Sequence, residues 1–232
     1  MTKKYRAERR RVLSGLGGFF ACAVLGQVGA PQSVSAVEEL YAPAPPAGSA
    51  FVRFMNASAG PVPLTLAGRS VGTLGAYDVS AYFVAAAGPK SATAGKARLE
   101  LPVAAGNYYT LVVQTLAAQA GKGEGLTILT DTANPHLAKA QVSLYNLSSL
   151  PTVALKTANG AATLVDGVGP QAQGQRAVNA ITVDLAVFSD GRVLQAFPGV
   201  SLAQGAAYSA VVFPGTQGPL IRWTPNRTDT TR

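Results

Sequence analysis

Along most of this chain apolar side chains recur at every second position. Val52 and Phe54 share one face of an extended segment, with Phe51, Arg53 and Met55 on the other. Val142 and Leu144 oppose Gln141, Ser143 and Tyr145 in the same phase. Ile181, Val183, Leu185 and Val187 alternate with Thr182, Asp184, Ala186 and Phe188, and Leu99 and Leu101 alternate with Arg98 and Glu100. A period of two predicts strands that turn one face to a core and leave the other partly wet. Asp190-Gly191, set between two such runs, predicts a tight hairpin. The best helical stretch, Gln114 to Ala120, has no apolar stripe and runs into Gly121, Gly123 and Gly125, so it reads as a strand end followed by a loop. Glycine and proline recur at turn-like intervals, as in a chain of short strands.

The strand pattern occurs twice. Val52-Arg53-Phe54-Met55-Asn56-Ala57-Ser58 returns 90 positions later as Val142-Ser143-Leu144-Tyr145-Asn146-Leu147-Ser148. The segment from Val103 through Gly106 and Tyr109 to Val113 returns 99 positions later, from Leu202 through Gly205 and Tyr208 to Val212. Two matches in the same order describe one unit used twice, with loops absorbing the change of offset. A period near 90 is too long for a solenoid and fits two tandem β-sandwich domains of the immunoglobulin-like kind, each of about seven strands. The expected boundaries are 50–132 and 136–224, with the junction at Asp131-Thr132-Ala133-Asn134-Pro135. Tyr109 and Tyr208 each follow a glycine by three residues and enter an apolar strand, the place for a tyrosine that anchors its hydroxyl on a nearby corner. Asn56 and Asn146 read as strand-ending turn residues bonding the backbone two positions on. Both also begin Asn-x-Ser sequons, and Asn226-Arg227-Thr228 is a third.

The ends differ from this body. Lys3, Lys4, Arg6, Arg9, Arg10 and Arg11 precede an uncharged apolar run from Val12 to Ala30, and Val34-Ser35-Ala36 offers small residues for cleavage. That is the layout of a secretory signal peptide over 1–36, removed near Ala36, with export to the periplasm. Glu8-Arg9-Arg10-Arg11-Val12-Leu13 resembles a twin-arginine signal without its usual serine or threonine, so the export route stays open. Residues 37–49 form a proline-rich extended lead-in, and 225–232 is a polar tail expected to fray.

Export changes how the charge is read. The full chain carries 19 Lys+Arg and 11 Asp+Glu. The leader takes six of the former and one of the latter, leaving 13 against 10, a net of +3 instead of +8. The basic balance belongs largely to the leader and makes no case for nucleic acid. Cys22, the sole cysteine, also lies in the leader, so the mature chain is expected to hold no disulfide and no thiolate metal site.

Catalytic chemistry has little to draw on. His136 is the only histidine and sits at the junction, and no Gly-x-Ser-x-Gly elbow supplies a nucleophile. No cofactor loop precedes a helix, and one histidine without cysteine cannot build a structural zinc site. The residues point to a binding or scaffolding protein with no cofactor or metal. Arg222-Trp223, a cation beside an aromatic, is the candidate contact for an acidic polysaccharide, and Trp223 could equally close the second core.

Five segments carry a family resemblance: Leu40-Tyr41-Ala42-Pro43, Gly48-Ser49-Ala50-Phe51-Val52-Arg53, Tyr108-Tyr109-Thr110-Leu111, Leu144-Tyr145-Asn146-Leu147-Ser148 and Leu155-Lys156-Thr157-Ala158-Asn159-Gly160. Together they resemble the alginate biosynthesis protein AlgF family, from about residue 40 to about 224. The resemblance implies a periplasmic, two-domain β protein that works in alginate O-acetylation beside a membrane-bound acyl transporter and separate acetyltransferases. It implies an adaptor that binds those proteins, with catalysis in the partners and no catalytic residues of its own. The alternative function is a carbohydrate-binding module holding the acidic polymer; an acetyltransferase or esterase ranks third. Leu40, Tyr41 and Arg53 from these motifs join Arg222 and Trp223 as candidate contacts for partner or polysaccharide.

Overall fold

The computed structural model describes residues 44–115 and 124–230. Among them every regular element is a strand. The first half contributes β1 (Ser49–Asn56), β2 (Val62–Leu66), β3 (Arg69–Leu74), β4 (Asp78–Val79), β5 (Tyr82–Ala86), β6 (Gly88–Ala94), β7 (Ala97–Val103), β8 (Tyr108–Thr115) and β9 (Glu124–Asp131). The second contributes β10 (Lys139–Asn146), β11 (Val153–Thr157), β12 (Thr163–Val168), β13 (Ala172–Asn179), β14 (Thr182–Ser189), β15 (Arg192–Ser201), β16 (Ala207–Phe213), β17 (Leu220–Pro225) and β18 (Thr228–Asp229).

These strands form four sheets, two to a sandwich. In the first sandwich a sheet ordered β18-β5-β1-β8-β9, with β4 also on β1, faces a sheet ordered β3-β2-β6-β7. In the second, β13-β10-β16-β17 faces β12-β11-β14-β15. The repeat seen in the sequence is a repeat of pairing. Val52 lies opposite Tyr109 in the parallel pair β1–β8, and their counterparts Val142 and Tyr208 lie opposite each other in the parallel pair β10–β16. Each sandwich is filled by its own alternating residues: Val52, Phe54, Leu64, Leu101 and Leu111 in the first, Val142, Leu144, Leu155, Leu185 and Val212 in the second.

Local sequence explains where strands turn. Asp190 and Gly191 adopt φ of 49° and 73°, the left-handed pair of a two-residue hairpin, and join β14 to β15 with Ser189 opposite Arg192. β1 and β10 each end on an asparagine knot. Asn56 Oδ1 accepts from the Ser58 amide at 2.9 Å while its Nδ2 donates to the carbonyls of Gly60 and Gly75, both at 2.8 Å. Asn146 repeats this with the Ser148 amide at 3.1 Å and the Leu150 carbonyl at 2.8 Å. Both asparagines are fully buried and bonded at both ends of the amide, so their amide nitrogens are closed to glycosylation in the folded chain. The two tyrosines act as corners: the Ala104 amide donates to Tyr109 Oη at 3.0 Å, and the Ala203 amide to Tyr208 Oη at 3.1 Å.

Two expectations are corrected. The second face of β1 and β10 is not wet. Met55, Val112, Tyr145, Val211 and Phe213 form a third apolar cluster that joins the β1–β8 sheet of one sandwich to the β10–β16 sheet of the other. Both sheets are therefore covered on two faces. The polar tail does not hang free either: Thr228 and Asp229 pair in parallel with Tyr82 and Phe83 of β5, and the Tyr82 amide donates to the Arg227 carbonyl at 2.8 Å. Backbone pairing on an open sheet edge needs no apolar side chain, so a polar sequence does not exclude it. β8 ends at Thr115, and the glycine-rich stretch expected to loop after it lies at 116–123, outside the described residues.

Candidate functional site

The doubly covered face of β1 carries a charge. Arg53 stands between Phe51 and Met55 on that face, and only 1% of its surface is exposed. A buried guanidinium is tolerated only if its donors are used, and here they are. Nε donates to Thr110 Oγ1 of β8 at 2.8 Å, and Nη1 to Asn226 Oδ1 at 2.9 Å. Nη2 donates to Tyr145 Oη of β10 at 2.8 Å and to Ser209 Oγ of β16 at 3.2 Å. One side chain of the first sandwich thus holds two strands of the second and the chain leaving it.

The counter-charge is Asp131, at the end of β9. Its closest approach to Arg53 is 3.9 Å, from Oδ2 to Nη2. Three hydroxyls complete it: Tyr82 Oη donates at 2.8 Å, Thr110 Oγ1 at 2.5 Å and Tyr145 Oη at 2.5 Å. Thr110 and Tyr145 each accept from Arg53 and donate to Asp131, so two hydroxyls relay the attraction between the buried charges. Such charge-assisted bonds are the stronger kind. The guanidinium also lies 4.5 Å from the centre of the Tyr82 ring and 5.2 Å from that of Tyr145, within cation–π range.

This environment sets the ionisation of its members. Burial pulls Arg53 down, but Tyr145, Tyr82 and Asp131 pull harder in the other direction, so the guanidinium stays charged above its ordinary value. Burial pushes the phenols of Tyr145 and Tyr82 up, only partly opposed by the Arg53 charge, and both remain protonated donors. The cluster is sealed, with Tyr145, Thr110 and Ser209 at 0% exposure. Its chemistry is positional: it holds two sandwiches in one arrangement and offers no group to a substrate.

The residues expected to make contacts fall in different places. Leu40 and Tyr41 lie outside the described residues. Arg53 is not a surface contact, because it is consumed by the buried cluster. Arg222 and Trp223 are neighbours in β17 and so project to opposite faces. Trp223 turns inward, stacked on Tyr208 at 5.6 Å and tilted against Phe197 at 6.0 Å. Arg222 turns to the first sandwich, where Nη1 lies 3.8 Å from Asp78 with both side chains about half exposed. Trp223 is thus partly buried against the second core, yet it and Arg222 still line one open hollow of about 500 Å³ together with Phe197 and Asp78. His136 is exposed in the connector, and its amide donates to Asn134 Oδ1 at 3.0 Å. No cluster of metal-ligating side chains occurs among the described residues.

Nothing local in the sequence marks Asp131, Tyr145, Tyr82, Thr110, Ser209 and Asn226 as one site. A usable signal existed. Arg53 and Tyr145 occupy the second face of two matched strands, next to apolar Met55 and Val211, where a wet face would carry several charges.

Comparison with known proteins adds identity to geometry. Residues 23–209 match the model of a family described as alginate O-acetyl transferase AlgF. The alginate biosynthesis protein AlgF of Azotobacter vinelandii is 31% identical over 205 residues, covering 88% of this chain and 88% of that protein. That of Pseudomonas aeruginosa is 31% identical over 185 residues, covering 80% and 82%. Among solved structures, the C-terminal domain of AlgF from P. aeruginosa matches 38% of this chain and 99% of its own at 32% identity, with a TM-score of 0.36. The N-terminal domain matches 38% and 100% at 26% identity, with a TM-score of 0.31.

Proposed function

The chain belongs to the AlgF family of alginate O-acetylation proteins, and from that premise we propose that it is a non-catalytic adaptor. It is exported, loses its leader near Ala36, and works in the periplasm by binding the acetyl-transferring proteins of the pathway. The observation that carries this reading is the Arg53–Tyr145–Asp131 cluster, which spends the buried charge of the molecule on joining two sandwiches. A protein that presents separate surfaces to separate partners needs a fixed angle between them, and a buried, fully bonded network supplies one. Reactive groups are poorly placed for turnover: the lone histidine is exposed on the connector, and the buried carboxylate is capped by three hydroxyls.

The test is a reconstitution. A strain lacking the chain should make alginate with little acetyl ester, and the full-length gene should restore it. His136→Ala should restore it within about threefold, since a general base must reach a nucleophile to contribute. The purified mature chain should retain at least one acetyl-transferring partner on a column and leave an acetyl-ester reporter uncleaved. Ester cleavage that vanishes in His136→Ala would establish an enzyme and sink the adaptor. Mass spectrometry of the periplasmic protein should find a mature start near Val37; an intact leader in the active protein would refute the processing.

A further inference from the structure

The two sandwiches share a topology, so an element open in one and closed in the other stands out. β5 and β3 are the sheet-edge strands on one side of the first sandwich, apart from the short cover of β18 over Tyr82 and Phe83. Their counterparts in the second sandwich are β13 and β12. There the side is shut. β13 comes so near β12 that a Cβ on Gly174 would lie 2.7 Å from Val165 Cγ1 and 3.0 Å from Val168 Cγ2. In the first sandwich the same side opens as a cleft of about 740 Å³ between β3 and β5.

The cleft reaches the core. Leu66, Ala85, Phe83 and Val71, all packed in the first apolar cluster, line it. Ser70–Gly72 of β3, Phe83–Ala86 of β5 and the chain's own lead-in, Ala44–Ser49, line its sides. β3 ends its sheet, so one row of its amides and carbonyls meets no strand among the described residues. An unpaired edge beside a cleft floored by buried and partly buried core side chains is an arrangement that accepts an added strand: the backbone gives affinity and alternate side chains fill the pocket. Two cations, Arg69 and Lys90, stand at the cleft, with Asp229 as the one acidic residue lining it. β3 has six residues, about 20 Å at strand rise, which sets the length of a matching segment.

We propose that this cleft is the docking site for an extended segment of a partner protein, about six residues long, alternating apolar and acidic. The segment adds to the free edge of β3. Its apolar side chains enter over Leu66 and Phe83, and its carboxylates meet Arg69 and Lys90. The proposal rests on the adaptor reading and names the surface by which one partner is held. The second sandwich, closed at the matching place, binds nothing in this way.

The experiment uses the full mature chain and a defined probe, the peptide acetyl-Glu-Val-Glu-Val-Glu-Val-amide, followed by amide NMR shifts. Saturable binding is expected, with shifts confined to Arg69–Leu74 and Tyr82–Ala86. Affinity should drop about tenfold in the R69E/K90E double variant, because rim charges select and steer more than they support the fold. The variant should melt with the wild type and lose retention of the acetyl-transferring partner in parallel. Shifts elsewhere, no binding, or equal binding of a control peptide with lysine in place of each glutamate would overturn the proposal. The same amides shifting with an acidic oligosaccharide would make the cleft a glycan site and overturn it. Self-association through them would make it an interface between copies and would overturn it as well. A partner retained equally by wild type and R69E/K90E would overturn the cleft and leave the adaptor standing. Peptide binding without retention of any partner by wild type would do the reverse.

Discussion

Tyr145→Phe isolates the joint between the sandwiches. It removes one oxygen and keeps the ring that packs with Met55 and Phe213 and lies 5.2 Å from the Arg53 guanidinium. That oxygen makes two bonds to charged groups, accepting from Arg53 at 2.8 Å and donating to Asp131 at 2.5 Å. A hydrogen bond to a charged group contributes about 1.5–3 kcal/mol, and burial prevents water from replacing it. Ser209 still reaches Arg53, and Thr110 and Tyr82 still reach Asp131, so part of the loss is absorbed. The expected cost is about 3 kcal/mol, which in a chain of this size lowers the melting temperature by roughly 6–12 °C. Urea unfolding at neutral pH measures it. Tyr208→Phe is the control, since its hydroxyl makes a single bond, from the Ala203 amide at 3.1 Å, and should cost about 1 kcal/mol or less. A double-mutant cycle of Tyr145→Phe with Asp131→Asn should show coupling of about 1 kcal/mol or more. The transition should also broaden or split as the sandwiches uncouple. If Tyr145→Phe costs no more than Tyr208→Phe, or if the cycle shows no coupling, the hydroxyl relay does not join the domains.

Other outcomes follow from the same geometry. Gly174→Ala should destabilise by about 1–3 kcal/mol through overpacking, because its Cβ would meet Val165 and Val168 at 2.7 and 3.0 Å; a neutral substitution would mean that β12 and β13 yield easily. Ending the chain after Thr224 should cost about 2 kcal/mol or more, by removing the Asn226 bonds to Arg53 and Ser209 and the pairing of β18; unchanged urea unfolding would show that the tail contributes nothing. Stability should fall as pH rises above about 10. Tyr145 and Tyr82 keep their protons in the folded chain beyond the ordinary phenol value of 10.0, while the unfolded chain releases them. The stabilisation is complete below that pH and is lost progressively above it, and Tyr145→Phe should flatten the decline; an equally steep curve would place the effect elsewhere.

Much of the fold was legible. Alternation at Val52/Phe54 and Val142/Leu144 identified the strands, since a two-residue period survives whatever packs against it. Asp190-Gly191 identified a hairpin because few residues reach the left-handed region. Tyr109 and Tyr208, like the turn bonds of Asn56 and Asn146 to Ser58 and Ser148, were legible because these bonds close within five residues or fewer of chain. The matching turn at Ala67-Gly68, with φ of 52° and 78°, carried no such signal, as alanine is no usual left-handed residue.

The buried cluster was not legible in this way. Arg53 contacts Tyr145, Ser209 and Asn226, which lie 92, 156 and 173 positions away. An arginine among apolar neighbours can hint that its strand face is covered, but it does not say which distant groups cover it. Arg222-Trp223 was legible only as a pair of alternatives, contact or core: the packing shows Trp223 partly against the second core and Arg222 near Asp78. By itself the sequence determined the main strands, some of their turns, the doubled unit and the family, because these depend on local periodicity and on residues near one another in the chain. The tertiary structure decided which second face is covered, which charges meet, and which of two equivalent sandwich sides stays open. Those outcomes depend on surfaces brought together from distant parts of the chain, and no local pattern encodes which surface will lie across from which.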